Sequence, residues 1–305
     1  MTIHRFKPST FHNSIGPHAP VLEIGDGDSV VTETLDAHGF DAVGARPGRG
    51  PNPMTGPFMV SGAKLGDGLR VRIDRISLTR STGWTWRGLA PGVVDPAVQM
   101  PLPTREKLDW LIDANSGSAR PKPALKGLEN WSVALAPMIG CFGVAPADGQ
   151  VISTATSGPY GGNMDYRGFG AGVEVVFPVA AEGALFFLGD VHAAQGAGEI
   201  AGTGIETAAE IQFTVHVEKG RAPGWPRGET AQTIFTVGNA RPLDQALQHA
   251  TTEMMTWLMT HYGLSDIAAS QIMGQTVDYE IANVFNPAYS VVCRIGRASI
   301  PGGAP

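Results

Sequence analysis

Acidic and imidazole side chains concentrate in one glycine-rich segment, residues 158–206. Asp190 and His192 are two positions apart, and on an extended backbone such residues point to the same side. A carboxylate and an imidazole can then converge on one point, a combination that suits zinc and other borderline divalent ions. Asp165, in the sequence GGNMD, is the nearest candidate for a third ligand. The spacing alone also fits a structural pair or a hydrogen-bonded turn.

Two further carboxylates, Glu199 and Glu206, follow in the same segment. A carboxylate partly removed from water beside a metal ion can act as a general base near neutral pH. Either residue could instead be a solvated loop glutamate. The nucleophile pattern G-x-S-x-G and the zinc motif H-E-x-x-H are both absent from the sequence.

Two predicted strands would position Asp190, His192, Glu199 and Glu206, one strand before these residues and one after them. The apolar run Ala184–Leu188 predicts the first strand, and the second begins near Ile211. Between them we expect about twenty residues without regular structure. Connections of this length are uncommon inside a compact domain and are usually functional.

Most of the chain has the pattern of short strands separated by turns. Its 40 glycines and 23 prolines are spread between apolar runs, as in all-β proteins. Hydrophobic residues alternate along three clear runs: Leu69, Val71 and Ile73; Val173, Val175, Phe177 and Val179; Ile211, Phe213, Val215 and Val217. Such alternation buries one face of a strand. We therefore predict a mainly β fold with a sandwich- or barrel-like core.

A helical segment should complete the fold at the C-terminal end. Apolar residues at helical spacing predict a helix over roughly 242–262, which begins near Pro242. A second, short helix should begin at Ser265, a good N-cap residue, and run towards Gly274. A final strand is predicted over Ser290–Ile295.

Three regions follow from these patterns. They are an N-terminal β region over 1–125, a central β region over 126–240 that carries the candidate site, and a C-terminal region over 241–305 with helices and the final strand. The polar, proline-bearing stretch within 108–130 should be a surface excursion or a linker.

Composition excludes several classes of function. The net charge of −6 and the scattered arginines argue against a nucleic-acid partner. No apolar run is long enough to span a membrane, and the first residues lack a secretory signal, so we expect a cytoplasmic protein. The two cysteines, Cys141 and Cys293, do not indicate a disulfide scaffold, and Cys141 should be a reduced core residue.

The glycine-rich segment also carries a resemblance to a known family. The sequences GGNMDYRG and PVAAEGALFFLGDVHAAQGAGEIAGTGIE resemble the acetamidase/formamidase family of amide hydrolases. The likeness extends in order over most of the chain, through VLEIGDGDSVVTETLDA (21–37), GPFMVSGAKLGDGLRVRI (56–73), PMIGCFGVAPADG (137–149), MMTWLMTHYGLS (254–265) and FNPAYSVVCRI (285–295).

The resemblance implies metal-dependent hydrolysis of a small linear amide, such as formamide or acetamide, to ammonia and a carboxylate. It also implies a β architecture, a homo-oligomer of at least two subunits, and a divalent metal ion, zinc in the first place and calcium as the alternative. Carried over to this sequence, the site groups fall into three sets: metal ligands Asp165, Asp190 and His192; catalytic glutamates Glu206 and Glu199; substrate-binding residues Asn163, Gly162 and Gly189.

Two segments depart from the family pattern. His12 and His18 lie in an N-terminal block where the family commonly has tryptophan, and ENWSVALAPMIG replaces a histidine-containing lead-in. These changes leave the substrate more open than the reaction class. A cyclic amide or a urea- or guanidine-derived amide is therefore an alternative substrate. A non-catalytic protein that binds a small molecule or a metal on the same scaffold is an alternative function.

Overall fold

Two large β-sheets form most of the structure. The computed structural model describes residues 1–97 and 103–302, in which 22 strands form sheets of nine, eleven and two strands. Along the chain the elements are β1 Ile3–Phe6, β2 Ser14–Ile15, β3 Leu22–Ile24, β4 Ser29–Glu33, β5 Thr55–Val60, β6 Gly68–Leu78, β7 Thr82–Trp86, β8 Lys107–Asp113, β9 Ser118–Lys122, β10 Val133–Ala134, β11 Met138–Val144, β12 Ile152–Ser153, β13 Ser157–Gly158, β14 Gly161–Asn163, β15 Glu174–Pro178, β16 Phe186–His192, β17 Glu206–Thr207, β18 Ala209–Glu218, β19 Arg227–Glu229, β20 Thr233–Ala240, α1 Leu243–Thr260, α2 Asp266–Thr276, β21 Asp278–Asn283 and β22 Tyr289–Gly296.

The nine-stranded sheet has the order β1-β4-β18-β6-β15-β19-β20-β22-β21. The eleven-stranded sheet has the path β10-β9-β8-β7-β17-β16-β11-β14-β13, with β5 paired to β16 and β3 paired to β5. Among the described strands, only β1–β4 and β3–β5 pair in parallel. The prediction of a mainly β fold with a helical C-terminal segment is confirmed.

Aromatic side chains join the two large sheets into one core. Phe213 of β18 lies 5.1 Å, between ring centroids, from Phe186 of β16. Phe177 of β15 lies 5.2 Å from Phe142 of β11. All four rings are buried, and each pair contains one ring from each sheet. The sheets therefore face each other across a shared hydrophobic layer, as in a sandwich.

The alternation read from the sequence matches the burial of the strands. The hydrophobic residues of the three predicted runs are buried, except that Val217, near the end of β18, is only partly buried. Both cysteines are free and buried, and burial raises the pKa of the Cys141 thiol well above its usual range. The prediction that Cys141 is a reduced core residue is confirmed.

The two predicted helices are present with small differences at their ends. Helix α1 follows Pro242, and α2 begins after Ser265, whose hydroxyl accepts a hydrogen bond from the backbone N–H of Ala268. Gly274 lies inside α2, which continues to Thr276, because one glycine costs a helix only about 1 kcal/mol. Neither helix of the described ranges is long and apolar enough to cross a membrane.

Two sequence predictions of loop structure were wrong. Strand β16 continues to His192, so Asp190 and His192 lie on the strand, and the connection before β17 covers only residues 193–205. The polar stretch SGSARPKPALKG within 108–130, predicted as an excursion or linker, contains β9, which pairs with β8 and buries Ala119. In both segments, pairing with a neighbouring strand outweighs local composition. The division into three regions stays a prediction.

Candidate metal and active site

The centre of the candidate site is a pair of neighbouring strands. Asp190 and His192 lie on β16, and His192 is paired across the ladder with Glu206 of β17. Glu206 in turn pairs with Trp84 of β7. The Glu206 side chain is therefore held between two strands, directly beside the imidazole. The structure thus brings together three of the residues that were singled out in the sequence.

The other two predicted acids reach the same place from connecting segments. Asp165 follows β14, and Glu199 lies in a short 3-10 helix over Ala197–Glu199. One ligand atom each from Asp165, Asp190 and His192 lies within 4.8 Å of the others, as does one atom each from His192, Glu199 and Glu206. All five side chains are buried, and His192 belongs to both groups.

Three of these acids have an unusual backbone conformation. The φ angles are 46° at Asp165, 57° at Asp190 and 45° at Glu199, all in the left-handed region. Residues with a Cβ adopt this region at a cost of about 1 kcal/mol or more each, and such residues cluster at functional sites. At Asp190 this conformation interrupts an otherwise extended strand, so the direction of its side chain does not follow from simple alternation.

Unpaired polar atoms show that the cluster could hold a metal ion. Within the described residues, five buried side-chain atoms lack a hydrogen-bond partner: Asp165 Oδ1, Asp190 Oδ1, His192 Nε2, Glu199 Oε2 and Glu206 Oε2. His192 Nε2 lies 3.5 Å from Asp190 Oδ1 and 3.0 Å from Glu206 Oε1. Buried polar atoms are normally satisfied, so five orphan atoms in one cluster point to an absent partner. Four oxygens and one imidazole nitrogen fit a divalent metal ion.

Gln195 orients the imidazole. Its Oε1 atom accepts a hydrogen bond from Nδ1 of His192 at 2.7 Å, while its Nε2 donates to the backbone oxygens of Asp165 at 2.6 Å and Ala282 at 3.5 Å. Because Gln195 Nε2 faces two carbonyl oxygens, its Oε1 must face the ring. The proton of a neutral His192 is therefore on Nδ1, and the Nε2 lone pair faces the carboxylates. This tautomer is the one that a metal ion requires.

Two asparagines hold Asp165 and the residue before it. Asn283 ends β21, and Asn286 lies in the connection between β21 and β22. Asn286 Nδ2 donates to Asp165 Oδ2 at 2.6 Å and to the backbone oxygen of Asn163 at 3.0 Å. Asn283 Nδ2 donates to the backbone oxygen of Met164 at 3.2 Å. These bonds leave only the Oδ1 atom of Asp165 unpaired. The end of β21 and the connection after it thus hold a carboxylate that follows β14 of the other sheet.

Two glycines make room for the cluster. A Cβ atom on Gly140 of β11 would lie 2.5 Å from Asp165 Oδ1 and 3.0 Å from Asp190 Oδ2. A Cβ atom on Gly204 would lie 2.5 Å from the ring of His192. These distances are shorter than any ordinary van der Waals contact, so both positions need glycine for space.

Burial and mutual repulsion control the protonation of the acids. Burial, with the charge of Asp190, raises the pKa of Asp165 to about 7. Burial raises the pKa of Glu206 to about 8 and, with the charge of Asp165, that of Glu199 well above its usual range. Burial lowers the pKa of His192, but the charges of Glu206 and Asp190 outweigh it and raise the pKa. Without a cation, the cluster therefore keeps protons at neutral pH.

The cluster opens into a cavity of about 530 Å³. Asp190, Glu199 and Glu206 line it, so a molecule in the cavity can contact three of the acids. Trp84 also lines the cavity, and its Nε1 donates to Asp36 Oδ2 at 3.1 Å. The sequence did not single out Asp36, Gln195 or Asn286, since each acts through a contact that only the folded chain makes.

The predicted substrate contacts fall in different places. Asn163 lines the cavity and accepts a hydrogen bond from Asn52 Nδ2 at 2.8 Å. Among the described residues that line the cavity, Gly162 and Gly189 are not found. At Gly162, with φ of 94°, a Cβ would lie 2.5 Å from the backbone oxygen of Thr156, so backbone packing explains this glycine.

His12 and His18 form a separate cluster. Their rings stack at 4.2 Å between centroids, and each lies 6.0 Å from the ring of Phe187. Neither histidine is among the described residues that line the cavity. In this structure both histidines therefore pack on Phe187 and do not contact the cavity.

Comparisons with known proteins agree with this geometry. A sequence profile of the Acetamidase/Formamidase family matches residues 149–280, which include all five residues of the cluster. An acetamidase of Mycolicibacterium smegmatis is 39% identical over 84 residues, which cover 27% of this chain and 20% of that protein. A putative formamidase of Schizosaccharomyces pombe is 25% identical over 68% of this chain and 64% of its own length. The matches therefore span less than two thirds of either relative.

The fold likeness extends over nearly the whole chain. The crystal structure of an acetamidase from Yersinia enterocolitica superposes with a TM-score of 0.85 at 29% identity, and the match covers 98% of this chain and 93% of that one. The helical segment and both large sheets lie within the matched range.

Proposed function

We propose that this chain, whose residues 149–280 match the Acetamidase/Formamidase family profile, hydrolyses small linear amides to ammonia and a carboxylate. The observation that carries the proposal is the buried cluster of four acids and one histidine, which has five orphan atoms and three of whose acids line a cavity. A binding site for an uncharged amide alone would not require so many buried acids, because each costs several kcal/mol to remove from water without a partner.

The donor set supports a divalent metal ion held by Asp165, Asp190 and His192. One imidazole nitrogen and two carboxylates are ligands that zinc accepts, and we propose zinc as the resident ion. Calcium, which prefers oxygen ligands alone, is the alternative. When bound, such an ion lowers the pKa of a coordinated water and polarises the amide carbonyl.

Glu206 has the geometry expected of the general base. It lies at the cavity wall, is fixed between β16 and β7, and has its Oε1 atom 3.0 Å from His192 Nε2. We propose that Glu206 takes the proton of the attacking water and passes it to the leaving nitrogen. Glu199, which lies on a less regular segment beside Asp165, is the second candidate for this role.

Ammonia release with and without a chelator tests the proposal. The purified protein, incubated with zinc, should release ammonia from formamide and acetamide, and treatment with a chelator should abolish the release. Zinc added back should restore activity, and calcium should restore less. Amide hydrolysis that persists after the bound metal has been removed and measured as absent would contradict the metal-dependent mechanism.

Two alternatives remain distinguishable from this proposal. A cyclic amide or a urea-derived amide would be hydrolysed at the same cluster, and a substrate panel separates these from linear amides. A non-catalytic binding protein would bind the ion and the amide but release no ammonia. Glu206 and Glu199 both line the cavity and can reach a molecule bound there. This placement favours a catalytic function over a binding function alone.

We further propose that the protein assembles into a homo-oligomer through its C-terminal region. Several large apolar side chains of α2 and β21 are exposed there, among them Ile267, Tyr279 and Ile281. Exposed apolar patches of this kind often lie at subunit interfaces. Light scattering at micromolar concentration should give at least twice the mass of one chain, and a monomer mass would contradict the proposal.

A further inference from the structure

The cavity above the acids is larger than acetamide requires. Its volume is about 530 Å³. Acetamide has four non-hydrogen atoms and needs roughly 100 Å³, taking a water's share of about 30 Å³ for each. Cavities of ~300–1,000 Å³ commonly hold ligands of drug size. The space therefore accommodates an acyl group much larger than a methyl.

Aromatic rings form one wall of this cavity. Trp84 and Trp86, both on β7, lie 5.3 Å apart between centroids at an angle of 71°, and both line the cavity together with Phe285. Trp84 is locked in place, because Asp36 accepts its N–H and Lys107 Nζ lies 3.9 Å from the centroid of its ring. Trp84, Trp86 and Phe285 together form the aromatic wall.

Arg105 contacts two members of the aromatic wall, Trp86 and Phe285. Its guanidinium carbon lies 5.3 Å from the ring of Trp86 and 5.0 Å from the ring of Phe285, and its Nη1 donates to the backbone oxygen of Ala201 at 3.1 Å. A cation between two rings attracts both of them. Phe285, although 39% exposed, is thereby held at the cavity instead of turning into solvent.

We propose that the aromatic wall binds the acyl side chain of an amide that carries an aryl group, such as phenylacetamide. Offset and edge-to-face contacts with the three rings favour an aryl group over an alkyl group of similar length. Water adds to the carbonyl carbon and the C–N bond breaks. One proton of the water goes to the nitrogen, which leaves as ammonia, and the acyl group becomes a carboxylate that keeps the aryl group, phenylacetate in the case of phenylacetamide. This inference rests on the proposed amide hydrolysis and specifies its substrate class.

Competition between two amides tests the inference with the zinc-loaded protein. The kcat/KM for phenylacetamide should exceed that for acetamide by about 10- to 200-fold, mainly through a lower KM. A ratio near one, with acetamide hydrolysed, would overturn the aryl preference and leave the proposed function intact. If neither amide releases ammonia, the proposed function fails. In that case, quenching of tryptophan fluorescence by phenylacetate but not by acetate would still support the preference of the aromatic wall for an aryl group. The absence of quenching by phenylacetate would overturn this preference.

Variants of the aromatic wall separate substrate contact from a structural role. Trp86→Ala and Phe285→Ala should each lower the ratio of the two kcat/KM values by at least about fivefold. Trp131→Ala is the matched control, since Trp131 is exposed and packs on Trp110, away from the cavity, so the ratio should not change. The inference would be overturned if a variant lowered kcat/KM equally for phenylacetamide and acetamide. It would also be overturned if a variant changed the oligomer mass but left the ratio of the two kcat/KM values unchanged.

Discussion

The Oε1 atom of Gln195 lies 2.7 Å from Nδ1 of His192, and the same amide group donates to the backbone oxygen of Asp165. One side chain therefore orients the imidazole and restrains the backbone of a second residue of the cluster, Asp165. Outer-sphere hydrogen bonds of this kind fix both the direction and the protonation of a ligating histidine.

Replacement of Gln195 should weaken metal binding without removing a ligand. Gln195→Ala is expected to lower the zinc affinity by about 10- to 100-fold, because the ring loses its orienting partner. Gln195→Glu, which keeps an acceptor for the Nδ1 proton, should lose less. Titration against a chromogenic chelator measures both. The control Gln271→Ala changes an exposed glutamine of α2 and should leave the affinity unaltered.

Removal of a ligand and removal of the base should have different signatures. His192→Ala should lose most of the bound zinc and all detectable ammonia release, since the ion loses a direct ligand. Glu206→Gln should retain the zinc but lower kcat by about 100- to 10,000-fold, because an amide cannot accept the proton. Metal analysis alongside an amide assay distinguishes the two.

The matched control for this pair is His216→Ala, which changes a half-exposed histidine beside Asp26 and should leave both readouts unchanged. If Glu206→Gln retained full turnover and Glu199→Gln lost it, the base would be Glu199. Wild-type rates in all three site variants would exclude the metal-hydrolase mechanism.

A single methyl group at Gly140 should disrupt the cluster by its volume alone. Gly140→Ala places a Cβ 2.5 Å from Asp165 Oδ1, so the carboxylate must move. We expect at least a tenfold loss of zinc affinity with an unchanged circular dichroism spectrum. Gly274→Ala, where no atom lies within 4 Å of the added Cβ, is the control. Tight zinc binding by Gly140→Ala would show that the cluster tolerates the displacement.

The metal-free protein should lose stability as the pH rises. Asp165 and Glu206 have pKa values raised to about 7 and about 8, above the ordinary 3.8 and 4.5, so between these limits the folded state binds more protons than the unfolded state. The raised pKa of His192 acts in the same direction, since its contribution is complete below 6.5 and is lost at higher pH. The Tm of chelated protein should therefore fall from pH 5 to pH 8.

Saturating zinc should remove most of this pH dependence, because the ion replaces the protons that the cluster would otherwise hold. The measurement is a thermal melt at each pH, with chelator and with zinc. A Tm of the chelated protein that is constant or increases over this range would contradict the raised pKa values.

The β fold could be predicted from local patterns, because alternation along β6 and β18 and the capping residue Ser265 act within short stretches of chain. The cluster was found partly through the Asp190–His192 spacing and mainly through the family resemblance. Its supporting residues could not be predicted, since Asn286 lies 121 positions from the Asp165 carboxylate that it binds. Nothing local in the sequence indicates such a contact.

The backbone at Asp190 was also beyond prediction. A residue in the left-handed region inside a strand contradicts the local preference for extended structure, and only tertiary contacts maintain it. The sequence therefore predicted a loop where the strand continues with one distorted position.

The left-handed backbone at Asp165, Asp190 and Glu199 has a consequence for how this protein can change over generations. Substitution of any of the three by glycine would relieve both the local strain and the repulsion between buried charges, so a chain without its site should be easier to fold. Selection for stability alone would then eliminate these acids. These acids persist among descendants only if selection maintains the function of the site. Where that selection is relaxed, the three acids should be substituted before the residues of the hydrophobic core.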